Sequence, residues 1–205
     1  MAIPPETCLA FSSHASAARQ PVPPEPVGAS VRRRLDYQAG RLAAADALAA
    51  LTGCADAVGR GPDGAPVWPQ GIVGAISHAD GRAVALTGHA TRYAGLGVDL
   101  EALVTNPEDI APVVLTGTEA ARLPHDALHM TLTFSAKESL FKALYPTLRR
   151  FFGFDAAELV ELDAERGKLC LCQTLGPWHK GTRFDFGWTV TGGQVLTVLA
   201  APLRP

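Results

Sequence analysis

The apolar residues of this chain recur at helical spacing in two long segments. In residues 32–51 they fall on one side of a helix, and Thr52-Gly53 supplies a stop signal. In residues 126–145 they recur every four positions, with Pro124 suited to the first turn and Pro146 to the end. The pattern predicts one long helix in each half of the chain.

Short apolar runs bounded by turn residues predict strands around these helices. Gly192-Gly193 separates the last two runs and is typical of a hairpin turn. Because each half combines a helix with strands, we predict an α+β protein with two similar α/β lobes, residues 1–103 and 104–205. The predicted strands are residues 71–76, 83–87, 96–100, 158–162, 168–175, 184–190 and 195–199.

Two features limit where the predicted helices and strands can lie: a proline-rich segment near the N-terminus and a second possible start for the second helix. Residues 20–28 contain four prolines, which excludes a regular helix or central strand and predicts an ordered loop or linker. An alternative start for the second helix has Ser135 as N-cap and Glu138 closing a capping box. We favour the longer helix because the four-residue period continues through Ser135.

Composition limits the classes of protein to consider. Of 205 residues, 47% are hydrophobic and 19% charged, which is enough to bury a substantial core. The net charge of −2 provides no overall basic surface for nucleic acid. No apolar run has the length of a membrane span, and the first residues lack the basic start of a signal peptide. We therefore expect a cytoplasmic protein that binds neither nucleic acid nor membrane.

The four cysteines match neither a disulfide scaffold nor a paired zinc motif. Cys170 and Cys172 would share one face of a strand, and we expect them to be small apolar core residues. A soft-metal pair is the alternative, but the neighbouring sequence supplies no further ligands.

Two short segments place charged residues in apolar surroundings. In GVDLE at 97–101, Asp99 and Glu101 would share one face of a strand. In FSAKESLFK at 134–142, Glu138 and Lys142 would lie on one side of a helix. Carboxylates are the hard oxygen ligands that Mg²⁺ prefers, commonly together with substrate phosphates. The two segments therefore predict a magnesium-phosphate site.

These segments belong to an ordered set of motifs. The set begins with VWPQG at 67–71 and GAISH at 74–78, and it continues with the two charged segments. It resembles the 4'-phosphopantetheinyl transferases, specifically the surfactin-type superfamily and its enterobactin synthetase component D branch, over residues 32–154. The resemblance implies a pseudo-twofold fold with coenzyme A and Mg²⁺ between the lobes. It also implies transfer of the 4'-phosphopantetheine arm of coenzyme A to a serine of an apo carrier protein, with release of adenosine 3',5'-bisphosphate.

The resemblance implies roles around the reacting bond. Asp99, Glu101 and Glu138 would hold Mg²⁺ on the pyrophosphate. Glu138, or a water that it orients, is the candidate base for the serine hydroxyl. Lys137 would lie beside the reacting centre. A metal and cations would stabilise the charge that develops as the pyrophosphate bond breaks.

A second group of residues would bind the nucleotide of coenzyme A. Lys142 would bind the pyrophosphate, and Ser77 with His78 would contact the 3'-phosphate and nearby groups. Arg34 and Arg41, on one face of the first helix, could hold either phosphate group.

The residues alone leave alternatives for several of these assignments. Asp99 and Glu101 could face solvent on an edge strand, and His78 could cap a turn or be a core histidine. The arginine run at 32–34 could be a solvated helix start.

Two positions fit the family less closely. Glu119 corresponds to an acidic position near the metal. Several relatives have Gly-Lys-Pro where this chain has Gly64-Ala65-Pro66. One phosphate contact is therefore missing, or it is supplied by Arg60 or Arg82.

We predict a monomeric, Mg²⁺-dependent enzyme acting on carriers of siderophore, non-ribosomal peptide or polyketide synthesis. One alternative is a holo-acyl-carrier-protein synthase devoted to fatty-acid synthesis, which the two-lobe length disfavours. Another is a non-catalytic coenzyme A or nucleotide sensor, which Glu138 beside Lys142 disfavours.

For carrier docking, residues 148–154 combine Arg149 and Arg150 with three phenylalanines. Those phenylalanines could instead pack into the second lobe.

Overall fold

Two long helices and two antiparallel sheets organise the chain, in a computed structural model that describes residues 1–19 and 29–203. The proline-rich segment 20–28 lies outside the described residues. The helices are α1 His14–Ala17, α2 Val31–Thr52, α3 Pro107–Val114, α4 Gly117–Arg122 and α5 Ala127–Leu148, with a 3₁₀ turn at Phe154–Ala156. The strands are β1 Thr7–Ser13, β2 Gly59–Arg60, β3 Pro66–Val67, β4 Ile72–Ala79, β5 Arg82–His89, β6 Tyr93–Ala102, β7 Ala157–Leu162, β8 Arg166–Leu171, β9 Arg183–Thr191 and β10 Gln194–Pro202.

The strands form a three-stranded sheet, a five-stranded sheet and one short pair. Their orders are β1-β5-β4, β6-β10-β9-β8-β7 and β2-β3. All seven predicted strands are present, and Gly192 and Gly193 turn the last hairpin with φ values of 59° and 77°. The apolar pattern did not predict β1, which pairs over its whole length with β5. It also did not predict the short pair β2-β3, the helices α1, α3 and α4, or the 3₁₀ turn.

Helix α2 packs its small side chains on the first sheet. Ala43, Ala44, Ala47 and Leu48 form a buried cluster with Ala85 of β5. Ser30 caps the N-terminus, and Gly53 ends the helix in the left-handed region at φ 79°. The predicted helix and its stop are therefore confirmed.

Helix α5 packs on the second sheet and differs from prediction at both ends. Asp126 is the N-cap, so Pro124 lies before the helix rather than in its first turn. Pro146 lies inside the helix, which continues to Leu148 and ends at Arg149 with φ 51°. A proline this close to the C-terminus removes a backbone donor from the last turn only. Ser135 is buried in mid-helix, so the capping-box alternative is wrong.

Strand β6 joins the second sheet, although the sequence grouped it with the first two strands. Its hydrogen-bonded partner is β10, with Asp99 opposite Thr197. Leu96, Val98 and Leu100 pack against β4 and β5 of the first sheet in a shared core. The mixed α/β architecture is as predicted, whereas the pseudo-twofold relation and the division at residue 103 stay predictions.

No helix in the described ranges combines the length and apolarity needed to cross a bilayer.

Candidate active site

Two glycines bring β6 against α5 and thereby place the first carboxylate. A Cβ on Gly95 or Gly97 would overlap the carbonyl oxygen of Ala143 or Ser139, so the strand can lie this close only with glycine there. Asp99 is the next residue with the same orientation. The glycine spacing in the motif therefore sets the approach of Asp99 to the helix.

Asp99 is the centre of a buried polar cluster that joins β4, β6 and α5. Its side chain is 2% exposed, and its Oδ1 accepts from Ser77 Oγ at 2.9 Å and Lys142 Nζ at 2.6 Å. Lys142 Nζ also donates to Ser77 Oγ at 3.0 Å and to the Val98 carbonyl at 3.1 Å. The Oδ2 atom is buried and has no hydrogen-bond partner among the described residues. One oxygen of a buried carboxylate is therefore left for a cation or a donor.

Two further carboxylates lie close enough to interact with this cluster. Burial, followed by the charge of Asp99, raises the pKa of Glu101 to about 7, and Glu138 adds to the effect. Burial also raises the pKa of Glu138, with Lys142 opposing the rise and Asp99 adding to it. Both carboxylates lie in an environment that favours added positive charge.

These shifts predict how the stability of the metal-free protein depends on pH. Because the folded state holds the proton of Glu101 more tightly than the unfolded chain, stability falls as pH rises from 4.5 towards 7. The substitution Glu101→Gln removes this loss. We expect it to raise Tm, measured in EDTA, by about 3–6 °C more at pH 8 than at pH 5. The exposed Glu161→Gln is the control, and an equal gain for Glu101→Gln at both pH values would contradict the prediction.

The three carboxylates only partly fit the predicted magnesium site. Their oxygens are suitable ligands, and the free Oδ2 of Asp99 needs a positively charged or donor partner. However, no three His, Cys, Asp or Glu side chains in the part of the chain described converge closely enough to hold a metal. Asp99, Glu101 and Glu138 therefore stay a predicted ligand set.

Ser77 and His78 lie on opposite faces of β4, as neighbours in a strand must. Ser77 is buried against β6, whereas the His78 side chain is 51% exposed on the side of α2. On α2, Arg34 is exposed and donates to the Ala29 carbonyl at 3.3 Å. The Arg41 guanidinium lies over the Tyr37 ring at 4.7 Å, and its buried Nε has no partner in the described ranges. His78 and the two arginines thus lie on or beside α2, and Ser77 belongs to the Asp99 cluster.

Lys137 lies in a separate buried network. Its Nζ donates to Glu119 Oε2 at 2.6 Å, to the Val114 carbonyl at 2.8 Å and to the Phe154 carbonyl at 3.0 Å. Burial lowers the pKa of Lys137, and the charge of Glu119 opposes that shift. All three N–H groups of the ammonium are used. Lys137 and Glu138 both border one small cavity, but the charged end of Lys137 pairs with Glu119, whereas Glu138 interacts with Lys142 and Asp99.

Comparison with known proteins identifies the family of this chain. The model of the 4'-phosphopantetheinyl transferase N-terminal domain matches residues 24–88, and that of the 4'-phosphopantetheinyl transferase superfamily matches residues 95–197. The chain belongs to this superfamily. It is 34% identical to the 4'-phosphopantetheinyl transferase Npt of Nocardia iowensis, over 82% of each chain. It is 31% identical to enterobactin synthase component D of Salmonella typhi, over 84% of this chain and 74% of that protein. The transferase Svp of Streptomyces mobaraensis is 36% identical over 68% of this chain and 61% of its own.

The predicted family and its reaction are therefore confirmed: the protein is a 4'-phosphopantetheinyl transferase that modifies carrier proteins with phosphopantetheine from coenzyme A. The sensor and the dedicated fatty-acid enzyme receive no support from these relatives.

Glu119 and Arg82 of this transferase both have protein partners in the fold. Glu119 is fully buried, closes a capping box with Thr116 and accepts from Lys137 and the Leu159 amide. Arg82 donates to the Thr191 carbonyl at 3.0 Å and to Gln194 Oε1 at 2.9 Å. The carboxylate of Glu119 therefore binds Lys137 and the Leu159 amide rather than taking part in the Asp99 cluster. Arg82 binds the β9–β10 hairpin in the free protein, and a phosphate contact from Arg60 or Arg82 in place of the one missing at Ala65 stays a prediction.

The predicted docking segment divides between surface and core. Phe151 is 79% exposed, whereas Phe152 packs on Phe141 and Phe154 on Phe134, with ring centroids 5.3 Å and 5.4 Å apart. A small cavity of about 60 Å³ lies between this segment and Glu138. Phe152 and Phe154 therefore pack in the second lobe, whereas carrier docking by the exposed part of the segment stays a prediction.

Cys170 and Cys172 are only half-buried, and Cys172 lies beyond the end of β8. The expectation of two core cysteines on one strand is therefore wrong. The strand ends at Leu171, so the shared face does not extend to Cys172.

Proposed function

We propose that this transferase is Mg²⁺-dependent and moves 4'-phosphopantetheine to a carrier serine with release of adenosine 3',5'-bisphosphate. The observation that supports this most is the buried Ser77–Asp99–Lys142 cluster with its free carboxylate oxygen. Two carboxylates of raised pKa stand beside it. Such a site favours a divalent cation together with substrate phosphates.

Asp99, Glu101 and Glu138 would hold the metal. When bound, Mg²⁺ would neutralise charge on the pyrophosphate as the phosphoanhydride bond between its two phosphate groups breaks. Lys142 neutralises Asp99 in the free protein, and its side chain remains 24% exposed. Its ammonium is therefore placed to share its hydrogen bonds with an incoming pyrophosphate and to stabilise the leaving oxygen.

Glu138 would also act as the base. A serine hydroxyl is a weak nucleophile, and a carboxylate takes its proton best when its pKa lies near the working pH. The burial that raises the pKa of Glu138 moves it in that direction. We propose that Glu138 receives the serine proton directly or through one water as the oxygen attacks the phosphorus.

The proposal also includes a monomer in the cytoplasm whose carriers belong to siderophore, peptide or polyketide synthesis. Lys137 would support the site through its buried network rather than by touching the substrate.

Incubation with coenzyme A and a panel of apo carriers, followed by mass spectrometry, tests the reaction. We expect a phosphopantetheine adduct on a carrier serine and stoichiometric adenosine 3',5'-bisphosphate. Both products should disappear in EDTA and return on addition of Mg²⁺. Transfer that continues in EDTA would refute the metal requirement alone.

Carrier docking would use the end of α5, where an exposed aromatic ring adjoins an exposed cationic side chain. Arg149 lies 3.5 Å from Asp63, so the exposed Arg150 is the cleaner probe. We expect Arg150→Glu to raise KM for an acidic carrier by about fivefold at low salt and less at high salt. Affinity for coenzyme A should not change, and Arg19→Glu, at an exposed arginine after α1, is the matched control. Unchanged carrier kinetics at low ionic strength would place the docking surface elsewhere.

A further inference from the structure

A carboxylate lies among the cations proposed to bind the nucleotide. Asp36 is on α2, in the same helix as Arg34 and Arg41, and its side chain is 15% exposed. Its Oδ1 lies 2.7 Å from His14 Nε2 and 3.9 Å from His78 Nδ1. A bare carboxylate here would repel a phosphate, so its presence needs a physical reason.

His14 is rigidly placed beside this carboxylate. Its backbone amide donates to the Gly81 carbonyl at 2.9 Å, and its ring lies against Gly81, where a Cβ would be 3.4 Å from Nδ1. Gly81 has φ 76° in the β4–β5 turn. The His14 hydrogen bond therefore fixes Asp36 relative to the strand that carries His78.

His78 has no comparable constraint from its own strand. Its side chain is half exposed, and Asp36 faces its Nδ1, which leaves Nε2 directed away from α2. A carboxylate on one ring nitrogen sets both the orientation and the tautomer of an imidazole. The distance of 3.9 Å is longer than a hydrogen bond, so the positioning contact requires a small turn of the His78 ring when the ligand binds.

We propose that Asp36, held by His14, is a positioning residue that aims Nε2 of His78 at the 3'-phosphate of coenzyme A. This inference rests on the proposed function, since it requires His78 to contact that phosphate. Sequence spacing gave no signal for it, because His14, Asp36 and His78 are far apart in the chain and meet only in the folded protein.

Calorimetry with coenzyme A and with 3'-dephospho-coenzyme A isolates the phosphate contact. The Kd for 3'-dephospho-coenzyme A divided by the Kd for coenzyme A reports how much the 3'-phosphate contributes to binding. We expect His78→Ala and Asp36→Ala each to lower this ratio by roughly fivefold, and His14→Ala by a smaller factor. The double variant Asp36→Ala with His78→Ala should match His78→Ala alone, because Asp36 acts through that ring.

Two variants separate positioning from general effects. Asp36→Asn keeps an acceptor oxygen and should restore most of the ratio, while Asp46→Ala, an exposed aspartate on the same helix, should leave it unchanged. An unchanged ratio in Asp36→Ala, or an equal loss with and without His78, would overturn the proposal. A wild-type protein that does not distinguish the two ligands would overturn both this proposal and the nucleotide contacts of the proposed function.

Discussion

Replacing Glu138 by glutamine should reduce kcat for transfer by at least about 100-fold, which is the usual contribution of a positioned base. The substitution keeps the size of the side chain but removes its charge, so it eliminates both a metal ligand and the proton acceptor. Tm in EDTA should not fall, because burial already disfavours the charged form of this carboxyl. The measurement is carrier modification under saturating coenzyme A, with circular dichroism to confirm folding.

Asp99→Asn tests the metal separately from the base. Asparagine can still accept from Ser77 and Lys142, but it no longer offers a second anionic oxygen. We expect transfer to fall by a similar factor and the rise in Tm on adding Mg²⁺ to disappear. The control for both variants is Glu161→Gln, which removes an exposed carboxylate on β7. A folded Asp99→Asn or Glu138→Gln protein with near wild-type turnover would refute the assignment.

Lys137→Met should produce the largest loss of stability. It leaves Glu119 fully buried without its cation, and breaking one side of a buried ion pair costs about 3–5 kcal/mol. For a chain of this size that corresponds to a fall in Tm on the order of 10 °C. Thermal unfolding followed by circular dichroism measures it.

The matched control has the same pair chemistry at the surface. Lys168 Nζ lies 2.7 Å from Glu161 Oε2, close to the 2.6 Å of the buried pair, but both side chains reach solvent. Lys168→Met should therefore cost less than about 1 kcal/mol. Adding Glu119→Gln to Lys137→Met should recover part of the lost stability, because it removes the unpaired charge of the buried Glu119 carboxylate. Equal effects of the two lysine substitutions would show that burial does not set the strength of the Lys137 network.

Periodicity predicted the elements that carry their own signal. Helix α2 buries one face over many turns, and the apolar residues of α5 recur every four positions within a helix that is buried on most sides, so the apolar spacing of both persists in the sequence. The strands were predicted because their apolar runs are bounded by Gly and other turn residues, which is also a signal local to the chain. Strand β1 was missed because none of its residues is fully buried, and α3 and α4 because they are short. Short elements depend on tertiary contacts more than on local pattern.

The sequence determined the chemistry available to this protein, because residue type and local spacing are properties of the chain itself. Asp99 and Glu101 must share a face of any strand that contains them, and Glu138 and Lys142 must share a side of any helix. The family follows from those motifs in their order.

Only the tertiary structure decided which charges meet. Lys142 reaches Asp99 because β6 pairs with β10 and because Gly95 and Gly97 let β6 lie close to α5. Folding also directed Lys137 to Glu119 and brought Asp36 between two histidines from other elements. Contacts between distant segments depend on packing angles and strand pairing, and these arise from the whole core rather than from any one motif.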